Sequence, residues 1–341
     1  MSTAEPKSAS IFDVANRAGV SHQTVSRVIN DSPLVADATR AKVKAVIDEL
    51  GYRPNRSART LAGGVVRSVT VLTTDTSLYG TAETLRGIED AARAADFTIL
   101  ISVLDPDETY TEADILGRLP HDGAPAIVIA HDETTTKAMQ ALQRKQSGST
   151  VATGGERLGV EQDAADWLVS LDDRTIAARA TRYLLSMGHN TVHYLAIPSK
   201  ANRQAGWAEA LAEAGLEAPA VVHSGWTIGA ASEAVTELVA DPEVTAILCG
   251  NDDLAFGVLH AAHRAGRSVP GDLSLIGFDD SPLAAYHVPP LTTVDLDFRG
   301  VGRGAFELLR QKLEGGAHPR PTWRSPELIV RETSGPPPQR R

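Results

Sequence analysis

Cysteine is almost absent from this 341-residue chain. Its single Cys249 has no partner for an intrachain disulfide, which excludes a disulfide-stapled scaffold and fits a reducing, cytoplasmic setting. Long apolar runs are missing as well. Ala246–Cys249 and Ala126–Ala130 are far shorter than a bilayer span, and the first thirty residues lack a basic start followed by an apolar core. Neither a membrane partner nor a secretory signal is therefore expected. Catalytic signatures are equally scarce. Gly154-Gly155 lacks the Lys-Ser/Thr that a phosphate loop requires, and no Gly-x-Ser-x-Gly elbow occurs. His121 and His131, or His260 and His263, have no third ligand at metal spacing. No enzyme activity, metal or cofactor is expected. Positive charge is also in deficit, at 33 Lys/Arg against 43 Asp/Glu.

What is present is an uneven distribution of that charge. Through Gly64 there are nine Lys/Arg and six acids, a local excess of +3, so the remainder carries −13 of the net −10. Basic residues gather where a polyanion would be met, although mild excesses of this kind are common on solvated surfaces. The length suggests two or three domains, and 42% hydrophobic with 22% charged residues is ordinary for a globular protein.

The basic segment reads as three helices. Ser10-Ile11-Phe12-Asp13 is a cap with a carboxylate three positions on, and Ile11, Val14, Ala15 and Ala18 then share one face. Gly19 ends that helix and Ser21 caps a second, running to about Asn30, with Val25, Val28 and Ile29 inward. A third is expected from about Asp37 to Leu50, closed by Gly51. Helix, Gly-containing turn, helix is the helix-turn-helix arrangement, which puts the start of its second helix into the major groove. His22, Gln23, Ser26 and Arg27 are left outside, with Thr24 near the start. Gln23 can pair with adenine and Arg27 with guanine, while Ser21 and Thr24 can reach phosphate. An ordinary solvated helix in a small bundle would show the same residue types.

From Arg67 onward, short apolar runs alternate with amphipathic stretches. Strands are expected at Ser68–Thr73, Phe97–Val103, Ala126–Ala130, Thr191–Ile197, Thr245–Cys249 and Leu273–Phe278. Helices are expected at Ala82–Ala95, Thr175–Met187, Arg203–Glu213, Ala230–Val239 and Asp253–Arg264. Such alternation predicts parallel sheets wound on both sides, in two units. Ligands bind such sheets at the strand C-termini. Ser199, Asn251 and Asp279 follow expected strands and Arg203 begins a helix. Carboxylate, amide and guanidinium can each hydrogen-bond adjacent hydroxyls, and Trp226 offers an apolar face, which is sugar-like chemistry. A surface or strand-cap role is the alternative for each.

Three runs carry a resemblance: Phe12-Asp13-Val14-Ala15, Ala18-Gly19-Val20-Ser21, and Gln23-Thr24-Val25-Ser26-Arg27-Val28-Ile29-Asn30. Thr39-Arg40, Val43, Gly51-Tyr52-Arg53-Pro54-Asn55, Ala58 and Leu61-Ala62-Gly63 continue it. Further on stand Gly188-His189, Arg203 to Trp207, Gly250-Asn251-Asp252, Ile276 to Asp280 and Pro289 to Val294. On these motifs the chain resembles the LacI/GalR family of transcriptional regulators over residues about 10 to 333. The resemblance implies an all-α helix-turn-helix headpiece, 1–64, with a hinge helix at about 54–63. It also implies an α/β periplasmic-binding-protein-like core, 65–333, of two doubly wound subdomains joined by three crossings. Expected bounds are about 65–165 and 295–322 for one subdomain, and about 166–294 and 323–333 for the other. The tail 334–341 is expected to be disordered.

The resemblance further implies that Ser21, His22, Gln23, Thr24, Ser26, Arg27, Asn30, Asn55 and Arg56 meet DNA, with Leu61 wedged into the minor groove. Tyr79, Ser199, Arg203, Trp226, Asn251, Asp279 and Phe298 would hold a small-molecule effector. Two departures stand out: His22 replaces a tyrosine found in a family member, and Ala36 replaces a frequent Ser cap, leaving Asp37 to serve that helix end. Ala130 and Thr153 stand where a member carries an amide and a carboxylate, so the effector need not be that member's. The expected function is a cytoplasmic, homodimeric repressor that binds a palindromic double-stranded operator and is released by a sugar. A corepressor-dependent or activating regulator is the near alternative. A sugar-transport binding protein would share the core but would not need residues 10–63. The end of the chain lacks a leucine-rich extension, which favours a dimer over a tetramer.

Overall fold

Backbone polarity begins the first helix where the sequence expects it. In the computed structural model, Ser10 Oγ accepts from Asp13 N (3.3 Å) while Asp13 Oδ2 takes the Ser10 amide (2.8 Å), a closed capping box. The residues described are 9–29, 32–52, 67–121, 123–146, 149–153, 168–198, 202–315 and 322–339. They form two units, Met1–Arg67 and Ser68–Arg341.

In the first unit, α1 (Ile11–Ala18) ends at Gly19, whose φ of +63° would strain a residue with a Cβ. Then come α2 (His22–Ile29) and α3 (Asp37–Leu50). Val14, Ala18, Val25, Val28 and Val43 close a small core between them. No side chain caps α3 at Ala36, and Asp37 supplies a carboxylate in its first turn.

The second unit contains two sheets. The first lobe has β1 (Ser68–Thr73), α4 (Tyr79–Ala94), β2 (Thr98–Val103), α5 (Glu112–Leu116), β3 (Ala126–Ile129), α6 (Glu133–Gln146), β4 (Thr150–Thr153) and β5 (Leu168–Val169). The chain then crosses to α7 (Asp173–Ser186), β6 (His193–Ala196), α8 (Asn202–Glu213), β7 (Val222–His223), α9 (Ile228–Ala234), α10 (Thr236–Ala240), β8 (Ala246–Cys249), α11 (Asp252–Arg264) and β9 (Ser274–Ile276). It returns through β10 (Thr293–Asp295) to α12 (Phe298–Glu314), which lies along α4, and crosses again through β11 (Glu327–Ile329). Strand order is β2-β1-β3-β4-β5 in one sheet and β7-β6-β8-β9 in the other, all parallel. Each order reverses direction beside its first strand, the topological switch point where open α/β sheets take ligands. β10 and β11 pair antiparallel as a two-stranded ribbon between the lobes.

Close helix packing is built on glycine. A Cβ at Gly302 of α12 would stand 2.1 Å from the Thr84 carbonyl oxygen of α4, so only glycine permits this approach.

Three expectations need correction. The first subdomain does not end at residue 165, because Leu168–Val169 pair in parallel with β4 and belong to its sheet. The stretch 230–239 is two short helices meeting at Val235, not one. The tail is anchored where disorder was expected from residue 334. Ser274 Oγ donates to the Gly335 carbonyl (2.8 Å), the Gly335 amide returns a bond to Ser274 Oγ (3.0 Å), and His189 Nε2 lies 2.9 Å from the same carbonyl. These buried polar partners tie down a terminus that was expected to be loose. No helix of the described residues is long and apolar enough to cross a membrane.

Candidate functional site

The outer face of α2 gathers the expected reading residues. Ser21 Oγ accepts from Thr24 N (3.1 Å) and lies 2.9 Å from Thr24 Oγ1, so both hydroxyls stand at the helix start. Ser21, His22, Gln23 and Arg27 are exposed and Thr24 and Ser26 half-buried, while Val25 and Val28 face the core. The His22 ring rests against Phe12, 5.3 Å between centroids. An amide, an imidazole and a guanidinium thus stand on one exposed helix face, a surface suited to base edges in a major groove. Asn30, Asn55, Arg56, Leu61 and the hinge segment 54–63 lie outside the described residues.

In the second unit, both switch points open onto one cavity of about 410 Å³. Tyr79, Arg203, Trp226, Asn251, Asp279 and Phe298 all line it, and Ser199 lies outside the described residues. Ala130 and Thr153 line it as well.

Arg203 is the buried centre of the cavity. Its Nε donates to Asp173 Oδ2 (3.0 Å), its Nη1 donates to the Gly250 carbonyl and stands 3.8 Å from Asp279 Oδ1, and its guanidinium lies over the Phe278 ring at 4.6 Å. Burial opposes its charge, but Asp173 and Asp279 more than offset that and raise its pKa. Asp279 holds a left-handed backbone with φ of +111° three residues beyond the end of β9. Burial pushes its carboxyl well above the usual range, with Arg203 resisting. Asn251 caps α11 through Oδ1, accepting from Leu254 N (2.9 Å), which leaves its amide NH₂ for a ligand. Behind it, Asp252 accepts from Thr293 Oγ1 (2.5 Å) and from the Ser281 amide (2.8 Å), and burial raises its carboxyl to about 7.

The opposite wall comes from the first lobe. Tyr79 and Phe298 meet edge to face at 6.3 Å, and burial raises the Tyr79 phenol to about 12. His131 follows β3 and meets Trp226 edge-on at 5.9 Å, an aromatic contact between the lobes. Its Nε2 lies 3.0 Å from Thr74 Oγ1, and burial lowers its pKa. Next to it, Asp132 accepts from the Thr135 amide (2.8 Å), the Thr135 hydroxyl (2.7 Å) and the Thr74 hydroxyl. Burial works to raise this carboxyl, but those donors and His131 hold it below the usual range. The cavity thus offers a forked cation between carboxylates, an amide and several aromatic faces. That combination is suited to a polar ring bearing hydroxyl or amide groups.

Sequence reasoning missed Asp173, His131 and Asp132. Asp173 follows a strand of two residues, too short to register as a period, and reads as an ordinary helix-start acid. His131 was weighed only as a metal ligand, although its place just after an apolar strand is the signal that also marked Asn251 and Asp279.

Comparison with known proteins finds matches in both units. Residues 10–55 match the family model described as bacterial regulatory proteins, lacI family, and residues 181–334 match a periplasmic binding protein-like domain. The HTH-type transcriptional repressor PurR of Vibrio campbellii is 30% identical, covering 95% of this chain and 98% of its own. The crystal structure of the Lac repressor dimer bound to operator and the anti-inducer ONPF superposes with a TM-score of 0.80 at 25% identity, covering 96% of this chain and all of that one. A transcriptional regulator CelR–cellobiose complex gives 0.69 at 27% identity, with coverage of 96% and 100%.

Proposed function

Because the chain belongs to the lacI family of bacterial regulatory proteins, and is a DNA-binding transcriptional repressor of that type, we propose that it acts as a homodimer on a palindromic operator and is released by a sugar. The observation that carries the sugar reading is the clamped Arg203 beside Asp279 and the free amide of Asn251, facing Trp226 across one cavity. Cellobiose in the similar CelR complex supports it. Ser21, His22, Gln23, Thr24, Ser26 and Arg27 read bases and phosphates, with Asn30, Asn55, Arg56 and Leu61 completing the contact. Effector binding between the lobes favours one lobe arrangement over another, and only this differential affinity can change the population that grips DNA.

The dimer reading is supported by two exposed apolar groups. Ile101 and Val103 on the edge strand β2 are 55% and 50% exposed, and Tyr286 and Val288 are 84% and 88% exposed. Contiguous apolar surface of this kind marks association.

The test is fluorescence anisotropy on a labelled palindromic operator at fixed salt, titrated with mono- and disaccharides. Salt is fixed because phosphate contacts make affinity steeply salt-dependent. One sugar should release the DNA, and Arg203→Lys, which keeps the charge but loses the fork, should weaken release at least tenfold without weakening DNA binding. Tight operator binding that no sugar disturbs would sink the effector reading.

A further inference from the structure

The charges around the effector cleft are unbalanced in a way that narrows the ligand beyond "a sugar". Among the described lining residues stand four acids, Asp132, Glu133, Asp173 and Asp279, the last held towards its neutral form by burial, against two cations, Lys137 and Arg203. Both cations are already paired, Lys137 only weakly, in an exposed pair. Lys137 Nζ pairs with Glu133 at 2.9 Å, and Arg203 lies between Asp173 and Asp279 at 3.0 and 3.8 Å. Asp173 Oδ1 is buried with no hydrogen-bond partner, so this carboxylate is itself short of donors. On the first-lobe wall, Asp132 is fixed by two threonine hydroxyls and a backbone amide, all donating. Those donors favour the ionised form, and the neighbouring His131 is held towards neutrality by burial.

We propose that the cleft accepts an uncharged saccharide and rejects its phosphorylated or carboxylated counterpart, with Asp132 as the residue that sets this preference. The inference rests on the effector-cleft reading above. A phosphate or carboxylate entering the cavity would displace water from around these acids and meet no unpaired cation among the described residues. In a partly desolvated site such like-charge contacts are felt strongly. The donor-hungry Asp173 instead suits a hydroxyl group, which donates, and the Asp279 carboxyl, held towards its neutral form by burial, can exchange hydrogen bonds with one in either direction. Asp132 has its lone pairs largely engaged by the protein, so its contribution is its charge. It is a specificity residue and not a primary ligand contact.

The experiment uses the full chain and matched pairs: glucose with glucose 6-phosphate, galactose with galacturonate, and cellobiose with cellobionate. Affinity is read by calorimetry and by operator release. For any pair that acts, the neutral member should bind at least tenfold more tightly. Asp132→Asn should narrow that ratio at least threefold, by tightening the anionic member more than it changes the neutral one. An anionic member that binds as well as its neutral partner, or a ratio unchanged in Asp132→Asn, would overturn the proposal. Inorganic phosphate provides a probe independent of the sugar reading. It should show no saturable binding up to 20 mM at constant ionic strength, and saturable binding abolished by Arg203→Gln would also overturn the charge argument. If no neutral sugar binds while phosphate stays silent, it is the sugar reading of the preceding section that fails, and the exclusion of anions stands.

Discussion

Replacing Asp252 by asparagine should flatten the dependence of core stability on pH. Asp252 is deeply buried, and its pKa rises from the ordinary 3.8 to about 7, chiefly through burial. Between those two values the folded chain holds a proton that the unfolded chain has released. Stability is therefore fully retained below about pH 4 and is lost as pH rises towards 7, the reverse of a salt-bridged aspartate. Three pKa units correspond to about 4 kcal/mol. Asp279 is buried nearby and titrates with it, so about 2–3 kcal/mol is the share expected between pH 5 and 8. Asparagine carries no such cost, but one amide oxygen must replace two carboxylate oxygens that accept from Thr293 and Ser281. One bond is lost, at about 1–2 kcal/mol. Urea unfolding followed by tryptophan fluorescence at pH 5, 6, 7 and 8 provides the assay. Asp252→Asn should be the less stable protein at pH 5 and should draw level with, or pass, the parent by pH 8. A stability gap that stays constant within about 0.5 kcal/mol across that range would refute the assignment of the buried proton to this residue.

Other perturbations test separate parts of the chain. Ser10→Ala removes the capping box of α1 and should cost the headpiece about 1 kcal/mol, read as faster amide exchange in α1 and weaker operator binding; unchanged exchange would count against the cap. Gly302→Ala drives a methyl against the Thr84 carbonyl and should lower core stability by about 1–3 kcal/mol, measured by urea titration, and an unchanged midpoint would mean the helices separate freely. Tyr286→Asp places a charge on an exposed apolar patch and should shift the sedimenting species from dimer towards monomer. A mass insensitive to that change would move the interface elsewhere.

The three helices of the described headpiece residues were legible, because Ser10, Gly19, Ser21 and Gly51 punctuate segments whose apolar spacing is unambiguous. In the core, the long buried strands stood out as apolar runs, and β1 begins and ends where the pattern places it. β5 and β7 did not, since two residues carry no period. α12 was also unmarked: Val301, Ala305, Phe306 and Leu309 are buried along it, but glycines at 300, 302 and 304 break up its apolar pattern. Of the cavity, Asn251 and Asp279 were found because each follows an apolar run, and Asp173, after a strand of two residues, was overlooked. The Arg203 clamp depends on Asp173, Gly250 and Asp279 converging from three separate segments, which linear spacing cannot reveal.

The β10–β11 ribbon sets the mechanical vocabulary of the core. Two strands joined by three residue pairs, Thr293 with Ile329, Val294 with Leu328 and Asp295 with Glu327, make a strip that is soft in torsion and stiff in extension. Rotating one lobe about the strip bends its hydrogen bonds slightly, whereas pulling the lobes apart loads two covalent backbones end to end. The repressor can therefore be wound and unwound by a ligand without ever being pried open, and its response to the effector should be an angle, not a gap.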